Sequence, residues 1–234
     1  MTSALYNAMS AALSQSKALD ITAHNIANSN TPGFRAQVVS FEQALGEAAP
    51  QVRVGEVATD TSRGEIKGTG NPLDLALPGP GFFAVTSASG DRFTRAGSFA
   101  VNSDGYVVNP DGLALQSSDG RPLQVPPHAQ NIAVGKDGTV QADGEVVGQV
   151  RVVHMDQKDL MVEGTGFVAS PTAAIHEVES PHVQSGALEG SNFRVVRGMI
   201  DLVRASRTYE AAVRTMQTVS ENEKRTARGF GSAG

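Results

Sequence analysis

Residues 3–27 carry apolar side chains at helical spacing and contain neither Gly nor Pro. Leu5, Met9, Ala12, Ser16, Leu19, Ala23 and Ile26 fall in the alternating four-and-three steps of a heptad seam, which predicts one amphipathic helix. Asn28-Ser29-Asn30-Thr31-Pro32-Gly33 closes it, because Pro32 drives Thr31 out of the α region and Gly33 allows a turn. A second such pattern starts at Ser191-Asn192, a pair suited to N-capping, and runs without Pro to Gly229. Val195, Met199, Leu202, Ser206, Tyr209, Val213, Met216 and Ser220 trace its seam. Val196 and Val203 flank that line on one side, and Gly198, Ala205, Ala212 and Val219 on the other. Arg194, Arg197, Arg204, Arg207 and Arg214 take the opposite face. So wide an apolar face exceeds what one partner helix needs. Both helices are marginal alone, so their order is expected to come from packing against other chains.

From about residue 50 to 186 the period shortens. Short Val, Leu, Phe and Thr runs alternate with Gly, Pro and Asp-Gly pairs that begin at Asp104, Asp111, Asp119, Asp137 and Asp143. Asp-Gly suits tight hairpins, so Gly81–Thr86, Ser98–Val101, Tyr106–Asn109 and Glu145–His154 are expected as antiparallel strands. The fold class is therefore α+β: two long terminal helices, an extended connector over 31–70, and a β-rich body over 71–190.

Composition narrows the function. No Cys is present among the 234 residues, which removes disulfides, thiolate zinc sites and cysteine catalysis. Aromatics are 5% and Trp is absent, a poor basis for a nucleic-acid stacking platform. No apolar run approaches a membrane span. The first 20 residues also lack the basic and apolar regions of a cleaved signal. Charge is uneven: residues 1–60 hold three basic against five acidic side chains, 61–190 eight against fifteen, and 191–234 eight against four. A solvated or partner-facing helix surface accounts for the basic end, and no nucleic-acid partner is expected.

Catalytic patterns are weak. His24, His128, His154, His176 and His182 are scattered, and none forms a helical His-x-x-x-His pair. His176, Glu177 and His182 read as exposed loop residues rather than ligands. Gly79-x-Gly81-x-x-Ala84 imitates a dinucleotide fingerprint, but Phe82-Phe83-Ala84-Val85 continues as strand where a helix should open. Asn102-x-Asp104-Gly105 lacks the remaining acidic ligands of a calcium loop. No enzyme, cofactor, metal or small-molecule substrate is expected.

Ile21-Thr22-Ala23-His24-Asn25-Ile26-Ala27-Asn28-Ser29-Asn30-Thr31-Pro32-Gly33-Phe34-Arg35 resembles the N-terminal signature of bacterial flagellar axial proteins, the rod, hook and hook-associated subunits. Asn71-Pro72-Leu73-Asp74-Leu75-Ala76 with Gly81-Phe82-Phe83, and Phe93-Thr94-Arg95-Ala96-Gly97-Ser98-Phe99 before Asp104-Gly105-Tyr106, resemble the family's core segments. Ser185-Gly186-Ala187-Leu188-Glu189-Gly190-Ser191-Asn192 completes the order. Phe34-Arg35-Ala36-Gln37, Gly186–Asn192 and Ser220-Glu221-Asn222-Glu223 lean toward proximal rod members, and Arg207-Thr208-Tyr209-Glu210 toward distal ones.

The resemblance implies that residues 1–30 and 191–234 pair into a coiled-coil-like inner rod domain of a helical tube. The subunit would polymerise with itself and other rod proteins, transmitting torque from motor to hook. It also implies export through the flagellar type III apparatus to a periplasmic rod without a cleaved signal. The assembly interface would then use Leu5, Met9, Ala12, Leu19, Ala23, Ile26 and Asn28 of the first helix. From the second it would use Val195, Met199, Leu202, Ala205, Tyr209, Val213 and Met216. Pro32, Gly33, Phe34, Arg95 and Gly97 are the family-motif turn residues. Gly97 is expected to adopt a backbone conformation that a Cβ would strain, and Arg95 to anchor the loop on a carboxylate or on carbonyls. Two other classes compete. An extracellular binding module needs an exposed aromatic cluster, and a nucleic-acid binder needs a basic body.

Overall fold

The structure, a computed structural model, describes residues 3–45, 50–88, 90–126, 128–156, 159–164, 166–170, 173–178 and 180–231. Helix α1 spans Ser3–Ala27 and helix α2 spans Val195–Gly231. The chain divides into two compact units. One gathers Met1–Ala27, Gln37–Asp60 and Phe193–Gly234; the other gathers Asn28–Ala36 and Thr61–Asn192.

In the helical unit α1 and α2 lie against each other. A two-stranded antiparallel hairpin, Gln37–Leu45 with Pro50–Thr59, packs on α1. This corrects the reading of 31–70 as one extended connector. An extended strand leaves a row of unpaired backbone donors and acceptors, and here the segment satisfies them by folding back on itself. Among the described residues, neither helix is long and apolar enough to cross a membrane.

The start of α2 differs from expectation as well. Asn192 does not cap the helix, which begins three residues later at Val195. Its amide is engaged elsewhere: Oδ1 accepts from the Ala36 N–H at 2.8 Å, and Nδ2 donates to the Ser62 carbonyl at 3.0 Å.

The second unit is the β body, and among the described residues its strands pair antiparallel, so α+β holds with a mainly antiparallel body. Among the described residues its main sheet has nine strands, running from Leu160–Glu163 at one edge through Phe82–Ser87 to Ala100–Val101. Strand Phe82–Ser87 is covered on both faces, so its alternation divides the core. Phe83 and Val85 join Leu75, Phe99, Val107, Leu115 and Val150 on one side. Phe82 and Ala84 join Phe93, Val153, Met155 and Phe167 on the other.

The strand expected over Glu145–His154 is two. Glu145–Gln149 belongs to a three-stranded sheet and Val152–His154 to the main one. The break falls where Val150 turns into the core and the Arg151 N–H donates to the Gln116 carbonyl. The five Asp-Gly pairs all place Gly at positive φ, but only Asp143 shares it, at 49°. That hairpin alone has both turn residues left-handed; the other four use Gly for the single left-handed position.

Candidate functional site

Three segments that are far apart in sequence meet inside the β body. The Pro32-Gly33-Phe34-Arg35 turn, the Arg95-Ala96-Gly97 turn and the Glu189–Asn192 segment converge on one buried carboxylate. Glu189 is 1% exposed. Its Oε1 accepts from Arg35 Nη2 at 2.6 Å and from the Gly64 N–H at 3.0 Å, and its Oε2 accepts from Arg95 Nη1 at 3.2 Å. Its backbone carbonyl accepts from the Gly33 N–H at 2.7 Å. Arg95 also donates to the carbonyls of Leu77 and Gly79, and stacks over the Phe82 ring at 5.4 Å.

Burial pulls the Arg95 guanidinium down to about 10; Glu189 opposes this, and the neighbouring charges of Arg35 and Arg63 add to it. The cluster is thus a cation-rich knot closed by one carboxylate. It ties together the points where the chain enters and leaves the body, at Ala36, Thr61 and Asn192.

The glycines in this knot answer to close approach. Gly97 does not sit at positive φ, which corrects the strained-conformation expectation. A Cβ there would stand 1.6 Å from the Leu75 carbonyl oxygen, because the Leu75 N–H donates to the Gly97 carbonyl at 2.8 Å. Gly33 does have a positive φ, 68°, and a Cβ would also meet the Arg95 backbone at 2.1 Å. Gly97→Ala should therefore lower the stability of the body by about 2–3 kcal/mol as the strands part to admit the methyl. Urea unfolding identical to wild type would remove the close-approach explanation.

In the helical unit the expected seam residues divide. On α1, Ala8, Ala12 and Ile21 are buried, and Leu5, Leu19 and Ile26 are half-buried. Ala23 is exposed, and so are Met9, Tyr6 and Leu13. Asn28 lies past the helix end in the body unit, where its carbonyl accepts from Thr31 N–H.

On α2, Gly198, Ala205 and Ala212 are buried, with Val195, Leu202, Val213, Met216 and Val219 half-buried. Val196, Met199, Ile200, Val203 and Tyr209 are exposed, at 75%, 53%, 50%, 51% and 38%. The buried line runs through the small residues, displaced from the expected seam by about half a residue, or roughly 50° around the axis. Ile26 comes within 3.4 Å of where a Gly198 Cβ would be, so α1 and α2 approach closely there.

One anchor escaped the sequence reading. Asn25, 3% exposed, donates through Nδ2 to the Gln37 carbonyl and accepts the Gln37 N–H on Oδ1, at 2.8 and 2.9 Å. The signal was present as a polar side chain amid the apolar positions of a helix, a pattern that costs energy unless both amide groups are satisfied.

Comparison with known proteins covers the same segments. Residues 5–35 match the family described as flagella basal body rod protein. Residues 76–142 match the flagellar hook protein FlgE/F/G D1 domain, and residues 184–228 match the flagellar basal body rod FlgEFG protein C-terminal family. The chain is 32% identical to the flagellar basal-body rod protein FlgF of Caulobacter vibrioides, over 94% of this chain and 95% of that protein. It is 29% identical to FlgF of Salmonella typhimurium, over 96% and 97%. It is 26% identical to the rod protein FlgG of Bacillus subtilis, over 94% and 96%.

Proposed function

The chain belongs to the flagellar basal-body rod protein family, FlgF-like, and from that premise we propose that it polymerises through the exposed apolar faces of its paired terminal helices. It is a structural rod subunit. The observation that carries the polymerisation reading is the apolar face of α2 left outside the helix pair: Val196, Met199, Ile200 and Val203. At half of the ~1.5–3 kcal/mol for burying each side chain fully, covering these four supplies roughly 3–6 kcal/mol per subunit contact. Tyr6, Met9 and Leu13 offer a matching surface on α1.

The buried line of Gly198, Leu202, Ala205, Ala212 and Met216 would join α1 to α2 in a coiled-coil-like pair within one chain. The outer face would then join neighbouring chains, so residues 1–30 and 191–234 act as the inner rod domain and 71–190 as the outer body. Such a tube transmits torque from motor to hook because its inner contacts are continuous along the axis. Export by the flagellar type III apparatus to a periplasmic rod belongs to the same reading, and its role is structural rather than enzymatic.

Deleting the gene should abolish swimming, and electron micrographs of isolated basal bodies should show rods arrested before the hook. Motile cells with complete rods would overturn the proposal.

A further inference from the structure

Arg35 and Arg95 of the knot line an open cleft of about 250 Å³. Thr61, Arg63, Phe82, His154 and Asp156 complete most of its lining. Among the described residues that line the cleft or pair with its arginines, three guanidinium groups face two carboxylates, those of Glu189 and Asp156. One positive charge is left over.

The donors are not used up either. Arg35 is 5% exposed, and among the described residues its buried Nη1 has no hydrogen-bond partner, nor has the buried Nε of Arg95. A buried guanidinium N–H left unpaired costs more than an exposed one, and charged donors of this kind are strongest toward oxyanions. Arg63, exposed at the rim, donates through Nη1 to the Pro78 carbonyl. Burial depresses Arg95, Glu189 opposes this, and the neighbouring charges of Arg35 and Arg63 add to it.

We propose that this cleft binds a single oxyanion, a carboxylate or phosphate group held by Arg63 at its rim and by the positive charge of Arg35 and Arg95 in its lining. One negative charge balances the cluster. The group could reach the cleft as a free small anion or on an acidic side chain of a second copy of the chain, whose 61–190 region carries fifteen acidic residues against eight basic.

The test uses inorganic phosphate on the full chain at constant ionic strength, read by the melting temperature of the body. At ten times the half-saturating concentration the linkage factor is about eleven-fold, a rise of about 3–6 °C. Phosphate also stabilises proteins in general, so the readout is the difference from Arg63→Gln, whose exposed site should leave folding intact. The variant should need at least about five-fold more phosphate. Sedimentation velocity then separates the sources. Phosphate that dissolves a self-associated species marks the anion as carried by a second copy, whereas unchanged sedimentation with a saturable melting shift marks a free anion. Equal responses in wild type and Arg63→Gln would overturn the site.

Discussion

Glu189→Gln should unfold the β body at markedly lower urea, a loss of about 3–5 kcal/mol. The substitution is nearly isosteric, so packing is kept while the charge is removed. What remains is two buried guanidinium groups, on Arg35 and Arg95, 5% exposed each, with no anion between them. Arg95 is already depressed by its burial even with Glu189 in place. The neutral amide can still accept from Gly64 N–H, but it cannot offset two cations. Arg35→Met combined with Glu189→Gln should recover part of the loss, because the like-charge repulsion falls when one cation leaves. If Glu189→Gln melts with wild type, the carboxylate is not what closes the knot.

This knot shows where reading the sequence reaches its limit. Arg35 and Glu189 are 154 positions apart, and nothing local marks either as the other's partner. By contrast the turns were visible because their chemistry is local: each Asp-Gly pair needs only its own backbone. Asn192 stands between the two cases. Its residue type and place before a helical run indicate a cap, yet its amide bonds Ala36, 156 positions away, because a tertiary partner outcompeted the local one.

The helix seam was shifted for a different reason. A stripe drawn through the largest apolar residues passes through Met199 and Tyr209, whereas close helix contact selects the smallest. Gly198, Ala205 and Ala212 carry almost no hydropathy signal, but they are the residues that let two backbones approach. The hairpin at Gln37–Thr59 was missed because its two strands lack the short Asn-Gly or Asp-Gly turn that announces a tight hairpin.

That shift makes a sharper test of assembly possible. Met199 is 53% exposed and Ala205 is 8% exposed on the same helix. If the outer face binds neighbouring subunits, Met199→Glu should leave the isolated chain as stable as wild type, since exposed substitutions fall within about 0.5 kcal/mol. It should nevertheless stop rod growth, because burying an unpaired carboxylate at the contact costs several kcal/mol. Cells carrying it should export the protein, remain non-motile and show rods arrested before the hook. Ala205→Glu should fail earlier, with the helical unit itself disordered, since that side chain lies in the buried line of α2. Arg204→Ala, on the exposed face, should swim, with a change of at most about 1 kcal/mol. Circular dichroism of the purified chains separates the two failures: helix retained in Met199→Glu and reduced in Ala205→Glu. A swimming Met199→Glu strain with complete rods would mean that neighbouring subunits grip some other surface, and the arginine face of α2 would be the next to test.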